Sequence, residues 1–271
     1  MEVVNYCPYC SSNIYETIET QKFEDVYLNI IDPTLNTYIR EFRKCTECDL
    51  IYRNYSLSKS ELNLLYKGAY RDDEFRSENG YEYFHRIDSI DNEESENYNK
   101  AIFLLSNINC VVKTILDVGC GAGLLIKKIK DERKGIKVYG VEPDLKYSEI
   151  ARELSNADQI VTGFLKPNLF QEKFDAITCC DVFEHIEDPI NFLNIIKDYL
   201  KVGGYLYVEI PSVNNFGKLR KDDEIFTYQH TYFYSNKFLY GLFEKCGFKV
   251  VLCEEIKYTR PTIKTRFIVK H

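Results

Sequence analysis

The 271-residue sequence predicts an α/β protein: a seven-stranded, mostly parallel sheet with helices on both faces and an antiparallel last strand, preceded by a small ribbon-like module. Three observations predict it. From about residue 101 onward, short apolar, β-branched runs alternate with segments of helical spacing, and strands joined by helical crossovers make a parallel sheet. The first of those runs ends in Gly119-Cys120-Gly121-Ala122-Gly123, a strand-to-helix turn. Two Cys-x-x-Cys pairs, Cys7 with Cys10 and Cys45 with Cys48, fall before residue 70.

Taken in order, residues 1–70 hold both cysteine pairs among aromatic, β-rich stretches and read as the ribbon-like module. Residues 71–112 are dense in charge and Tyr, from Arg71-Asp72-Asp73-Glu74 to Glu93-Glu94-Ser95-Glu96, and read as a helical connector or lid. Residues 113–271 form the α/β domain. Its strands are expected at 113–118, 137–141, 159–161, 174–180, 204–210, 248–253 and 262–269. Helices are expected at 124–130, 145–154 and 189–200, the last with Pro189 in its first turn, and after a Ser235 cap to near Gly247. Only the turn at Arg260-Pro261 separates the last two strands. A parallel crossover needs a dozen or more residues, so these two are antiparallel.

Composition narrows the class. Hydrophobic residues are 45% and charged residues 28%, which suits a globular chain with a sizeable core. No apolar run reaches the ~20 residues of a membrane helix. The N-terminus lacks a basic stretch followed by an apolar one, so a cytoplasmic location is expected. There, ten cysteines mean thiols or metal ligands rather than disulfides. The charge balance, 35 minus 42 or −7, argues against a nucleic-acid partner, whose phosphates demand positive charge.

The glycine turn carries the chemistry. Its spacing is G-x-G-x-G, whereas the dinucleotide fingerprint is G-x-G-x-x-G beside a pyrophosphate. Asp117 ends the strand before it; a carboxylate there repels a pyrophosphate and can receive a cationic amino group. Glu142 ends the next strand, where a carboxylate accepts hydrogen bonds from ribose hydroxyls. A ligand with a ribose and an amino-acid tail, but no phosphate, fits this set.

At these residues the sequence resembles a family. Leu116 to Gly123 resembles the first motif of class I S-adenosylmethionine-dependent methyltransferases, and Val141-Glu142-Pro143-Asp144 their second. Residues 174–189, through Asp181-Val182-Phe183-Glu184-His185, resemble the fourth-strand motif, and Leu200-Lys201-Val202-Gly203-Gly204 the turn into the fifth. The resemblance implies a Rossmann-like sheet, with Asp117, Gly119, Cys120, Gly121 and Gly123 holding the methionine part of S-adenosylmethionine. Glu142 and Pro143 would meet the ribose, and Asp181 and Val182 would flank the nucleoside and sulfonium. After the third strand the family often has a Gly-Asp pair; here the stretch is Val161-Thr162-Gly163-Phe164, so Phe164 is expected against the adenine without the polar contact.

With residues 11–44 between them, the two Cys-x-x-Cys knuckles suit four thiolates around a structural Zn²⁺. Cys-Pro-Tyr-Cys is also the glutaredoxin redox motif, but Ser11-Ser12-Asn13 reads as a turn rather than a helix start, and the second pair would go unexplained. The two pairs, followed by Asp49-Leu50-Ile51-Tyr52 and by Leu65, Tyr66 and Tyr70, resemble the N-terminal zinc-binding domain of a bacterial methyltransferase group. That resemblance implies a small-molecule acceptor, a sugar or nucleotide sugar in carbohydrate biosynthesis. The catalytic domain also resembles ubiquinone-type O-methyltransferases. Cys110, Cys179, Cys180, Cys246 and Cys253 read as small buried residues.

A hydroxyl or carbon-acid acceptor needs a base. His185, just after the fourth strand, and His230, in Tyr228-Gln229-His230-Thr231-Tyr232, are the candidates; each has a bracing or packing role as its counter-reading. Tyr228, Tyr232, Phe233 and Tyr234 are expected to close residues 211–232 over the acceptor, with Tyr81 and Tyr83 completing a lid. The function expected is O- or C-methylation of a small molecule. An rRNA or tRNA methyltransferase, or a non-catalytic cofactor-binding protein, is the alternative. No Asn-Pro-Pro-Tyr-like motif follows the fourth strand and no Pro precedes Cys180, so base N-methylation and cysteine-dependent cytosine methylation are not expected.

Overall fold

The structure is a computed structural model that describes residues 2–22, 25–66, 78–108, 111–214, 216, 224–258 and 263–271. Tyr70, the run at 71–74, Cys110, the turn at Arg260-Pro261 and part of the 211–232 segment lie outside the described residues.

The N-terminal part runs β1 (Glu2–Val3), β2 (Tyr15–Gln21), α1 (Val26–Ile31), β3 (Arg40–Cys45), β4 (Ile51–Arg53), β5 (Tyr55–Ser56) and α2 (Lys59–Tyr66). Two helices follow: α3 (Gly80–Asp88), started by an Asn79/Glu82 capping box, and α4 (Glu96–Asn107), capped by Ser95. Then strands and helices alternate: β6 (Thr114–Val118), α5 (Leu124–Glu132), β7 (Lys137–Glu142), α6 (Leu145–Leu154), β8 (Gln159–Thr162), β9 (Phe174–Cys180), α7 (Pro189–Tyr199) and β10 (Leu200–Pro211). The chain ends with β11 (Tyr232–Phe233), α8 (Asn236–Lys245), β12 (Lys249–Lys257) and β13 (Ile263–Lys270). The expected Ser235 cap forms, accepting from Phe238 N, and Pro189 stands in the first turn of α7 behind an Asp188 cap that accepts from Asn191 N.

The seven-stranded sheet has the order β12-β13-β10-β9-β6-β7-β8. Strands β6 to β10 are parallel, and β13 runs antiparallel between β10 and β12. Central β6 is covered on both faces, and Ile115, Leu116 and Val118 are buried, as a continuous apolar run predicts. Strand order reverses at β6, with β7 on one side and β9 on the other, which opens a crevice at their carboxyl ends.

The smaller sheet has the order β11-β4-β3-β2. Its edge strand β11 comes from beyond β10, so Tyr232 and Phe233 pair with Tyr52 and Ile51. Cys7, Cys45, Leu50 and Tyr52 share one apolar cluster with Phe183, Tyr234 and Phe243. The cysteine region and the end of the main sheet are therefore packed together. Among the described residues no helix is long and apolar enough to cross a membrane.

Candidate active site

The glycine turn lies where it must. Gly119 has φ +69, and a Cβ there would stand 2.4 Å from Val182 Cγ2. Gly123 has φ +84, and its Cβ would meet Ser155 at 2.5 Å. Both positions need glycine for conformation and for space. Glu142 accepts from Gly121 N at 2.8 Å and from Asp144 N at 3.0 Å, which locks its carboxylate against the turn. Asp117 is 3% exposed and accepts from Thr178 Oγ1 at 2.6 Å. Burial, opposed by that bond, pushes its carboxyl up to about 7.

Two clefts flank the turn. Glu142, Pro143, Phe164, Val182 and His185 line the first. Tyr83, Arg86, Lys100, Asp117, Cys120 and Gly121 line the second. Gly119 and Asp181 line both, so the clefts meet there. Gly123 lines neither; it packs the start of α5 against α6. The apolar first cleft suits a nucleoside, and the polar second cleft suits an amino-acid tail.

Beneath the junction lies an ionic floor that sequence reasoning missed. Asp181, at φ +55, accepts from Lys100 Nζ at 3.0 Å and from Lys264 Nζ at 2.7 Å. Burial alone would raise its pKa, but the two ammonium groups hold the carboxyl well below the usual range. Glu209 stands 3.3 Å from Lys100 and accepts from the hydroxyls of Tyr207 and Tyr258 at 2.6 and 2.7 Å. One signal was available: Lys100 interrupts the buried stripe of Ala101, Phe103 and Leu104 on α4.

The two candidate bases sit side by side, with ring centroids 4.9 Å apart, yet differ in setting. His185 lines the first cleft. Its Nδ1 lies 2.7 Å from Gln229 O and 2.9 Å from Tyr66 Oη. A carbonyl only accepts, so a hydrogen bond to Gln229 O requires the hydrogen on Nδ1, which in a neutral ring leaves the lone pair on Nε2. His230 is 7% exposed and lies outside that cleft, its Nδ1 2.9 Å from Ile225 O. Burial, helped by His185, pushes its pKa down to about 3, so it is neutral and a weak base at ordinary pH. Neighbouring Glu184 is pushed up to about 8 by burial and by Asp181.

The expected aromatic lid is corrected. Tyr228, Tyr232, Phe233 and Tyr234 are all buried and line neither cleft. Arg40 and Arg53 both lie over the Tyr228 ring, at 4.5 and 4.1 Å, β11 uses Tyr232 and Phe233 for pairing, and Tyr234 stacks on Phe238. Packing took these rings because they follow a segment anchored to the small sheet. Tyr83 does line a cleft, whereas Tyr81 donates to Glu153 on the surface.

The four predicted metal ligands converge. The sulfurs of Cys7, Cys10, Cys45 and Cys48 lie within 4.8 Å of one another, two of the pairs at 3.5 Å. Sulfurs ~2.3 Å from a tetrahedral zinc stand about 3.8 Å apart, so the set fits such an ion. Cys120, Cys179 and Cys246 are buried, and burial pushes all three thiols up.

A family model described as "Methyltransferase domain" matches residues 89–252. The ubiquinone biosynthesis O-methyltransferase of Histophilus somni (strain 2336) is 32% identical over 105 residues, 35% of this chain and 43% of that protein. The mitochondrial enzyme of the same name from Schizosaccharomyces pombe is 32% identical over 107 residues, 37% of this chain and 38% of that protein. The matches thus span less than half the length of these relatives. Among solved structures, an S-adenosylmethionine-dependent methyltransferase from Clostridium acetobutylicum ATCC 824 superposes with a TM-score of 0.53 at 17% identity, over 71% of this chain and 99% of that one. Magnesium protoporphyrin IX methyltransferase from Synechocystis PCC 6803 with bound SAH gives 0.53 at 16% identity, over 75% and 98%. At such identities the structures support the fold.

Proposed function

Because the chain belongs to the methyltransferase family whose domain model matches residues 89–252, we propose that it transfers a methyl group from S-adenosylmethionine to a hydroxyl of a small molecule. The meeting of two unlike clefts at Gly119 and Asp181 carries this reading. When bound, the cofactor supplies an electrophilic methyl on a sulfonium. Glu142, held by two backbone N–H groups, receives the ribose, and Phe164 and Val182 enclose the base. Asp117, in the second cleft, receives the ammonium. His185 takes the acceptor's proton at Nε2, because Nδ1 is engaged by Gln229 O. His230 backs His185 as a neutral partner.

The relatives' names favour an oxygen acceptor over a carbon one. The sugar or nucleotide sugar implied by the cysteine motifs draws no support from those names and stands on that resemblance alone. Cys7, Cys10, Cys45 and Cys48 hold a structural zinc in this proposal. The test is calorimetry with S-adenosylhomocysteine and with NAD, followed by transfer of labelled methyl to a panel of catechols and nucleotide sugars. Binding of S-adenosylhomocysteine alone and label on a hydroxyl are expected. Equal binding of NAD would refute the cofactor assignment, and label on carbon or nitrogen the acceptor assignment.

A further inference from the structure

The segment that carries His230 is held from outside the catalytic sheet. Arg53, on β4, is 4% exposed and, among the described residues, has no carboxylate among its hydrogen-bond acceptors. Its guanidinium instead donates to Phe226 O at 3.3 Å, Thr227 O at 2.9 Å, Tyr228 O at 3.2 Å and His230 O. The missing carbonyl of that run, Gln229 O, accepts from Tyr66 Oη at 3.0 Å and meets His185 Nδ1 at 2.7 Å. Asp25 adds a contact from the same side, accepting from Tyr228 N at 2.7 Å while pairing with Arg40 at 3.5 Å. Residues 25–66 thus engage every carbonyl from 226 to 230.

Five carbonyls turned toward one region repel one another unless a cation gathers them. A guanidinium does this with its planar fork of five N–H donors; a lysine has three donors at one point. With the other four carbonyls drawn to Arg53, Gln229 O is left in place for His185. That carbonyl selects which ring nitrogen of His185 carries the hydrogen. Thr231 closes the assembly, its N donating to Glu184 O at 2.8 Å and its Oγ1 to His185 O at 3.2 Å.

We propose that Arg53 is a positioning residue that, through residues 226–230, sets the tautomer of His185, so that the cysteine-bearing sheet serves to orient the imidazole. The importance of that tautomer for turnover rests on His185 being the base, but the tautomer itself does not. The arrangement also gives a reason for β11 to pair with β4: it ties the end of the same segment to the strand that carries Arg53.

The full chain, with its histidines labelled with ¹⁵N and S-adenosylhomocysteine bound, tests this by imidazole NMR at pH 8.5, with His185→Asn identifying the resonance. In the parent protein His185 is expected as the Nδ1–H form. In Arg53→Met and Arg53→Lys the Nε2–H form should rise several-fold, while S-adenosylhomocysteine affinity stays within about twofold and the remaining amide spectrum is retained. Should Arg53→Met not fold, Arg53→Lys, which keeps the charge, reads the same signal. An unchanged Nδ1–H signal in a folded Arg53 variant would overturn the proposal. Normal turnover of His185→Ala would instead overturn the base assignment and leave the positioning result standing.

Discussion

Replacing Asp117 by Asn separates what this buried carboxylate does for the cofactor from what it costs the empty protein. Burial raises its pKa from 3.8 to about 7. One pKa unit corresponds to ~1.36 kcal/mol, so the rise from 3.8 to about 7 makes ionised Asp117 a burden of about 4 kcal/mol. A group whose folded pKa is raised contributes stability that is fully present below the unfolded value and is lost as pH rises through the folded one. The empty protein should therefore weaken between pH 4 and 7 by roughly that amount from this group, and Asp117→Asn should abolish that component. Cofactor binding has the opposite slope. An ammonium in the second cleft needs the carboxylate ionised, so affinity should fall as pH drops below 7, approaching tenfold per unit, or about 15-fold between pH 7 and 5.5. In Asp117→Asn the slope should vanish, and affinity at pH 8 should drop by ~1.5–3 kcal/mol, the range for a hydrogen bond to a charged group. Calorimetry with S-adenosylhomocysteine from pH 5.5 to 8, with urea unfolding of both empty proteins, measures each part. A parent affinity that is flat across this range, or an Asn variant that binds as the parent does, would refute the assignment of Asp117 to the ammonium.

Four further outcomes are expected. Glu142→Ala should weaken S-adenosylhomocysteine binding by ~1–3 kcal/mol, and it frees Gly121 N and Asp144 N; unchanged calorimetry would remove Glu142 from the ribose site. His185→Ala should lower turnover by about 10²–10⁴-fold with cofactor affinity retained. His230→Asn should act through stability, because His230 is neutral and off the cleft; a rate loss as large as that of His185→Ala with unchanged stability would reverse the two roles. Elemental analysis should find about one zinc per chain. Cys45→Ser should lose it and expose residues 226–233 as well as the small sheet to hydrogen exchange, since β11 pairs with β4; a metal-free parent protein would contradict this.

The strand, glycine turn and helix that carry Asp117 and the glycines were legible because they are local. Asp117, the glycines and Glu142 lie at strand ends whose pattern the chain repeats, and strand followed by glycine turn followed by helix leaves few arrangements open. The convergence of the four cysteines was legible for the same reason: each Cys-x-x-Cys knuckle brings two sulfurs to one cluster. The short link between the last two strands required them to be antiparallel, and they are.

The surroundings of His185 and His230 depended on contacts distant in sequence. Nothing near residue 232 announces that Tyr232 and Phe233 will extend a sheet begun at residue 15, since a Tyr-rich run suits a lid and a buried strand equally well. The ranking of His185 over His230 came from burial and from carbonyls that meet each ring only after folding. Lys100, Lys264 and Arg53 showed in sequence only as cations; the structure brings the first two to Asp181 and the third to a run of carbonyls 173 to 177 positions away. Periodicity reports which face of an element is apolar, and it decided the sheet. Which distant groups share a buried site is decided by packing, because only there does the loss of water make each polar atom find a partner.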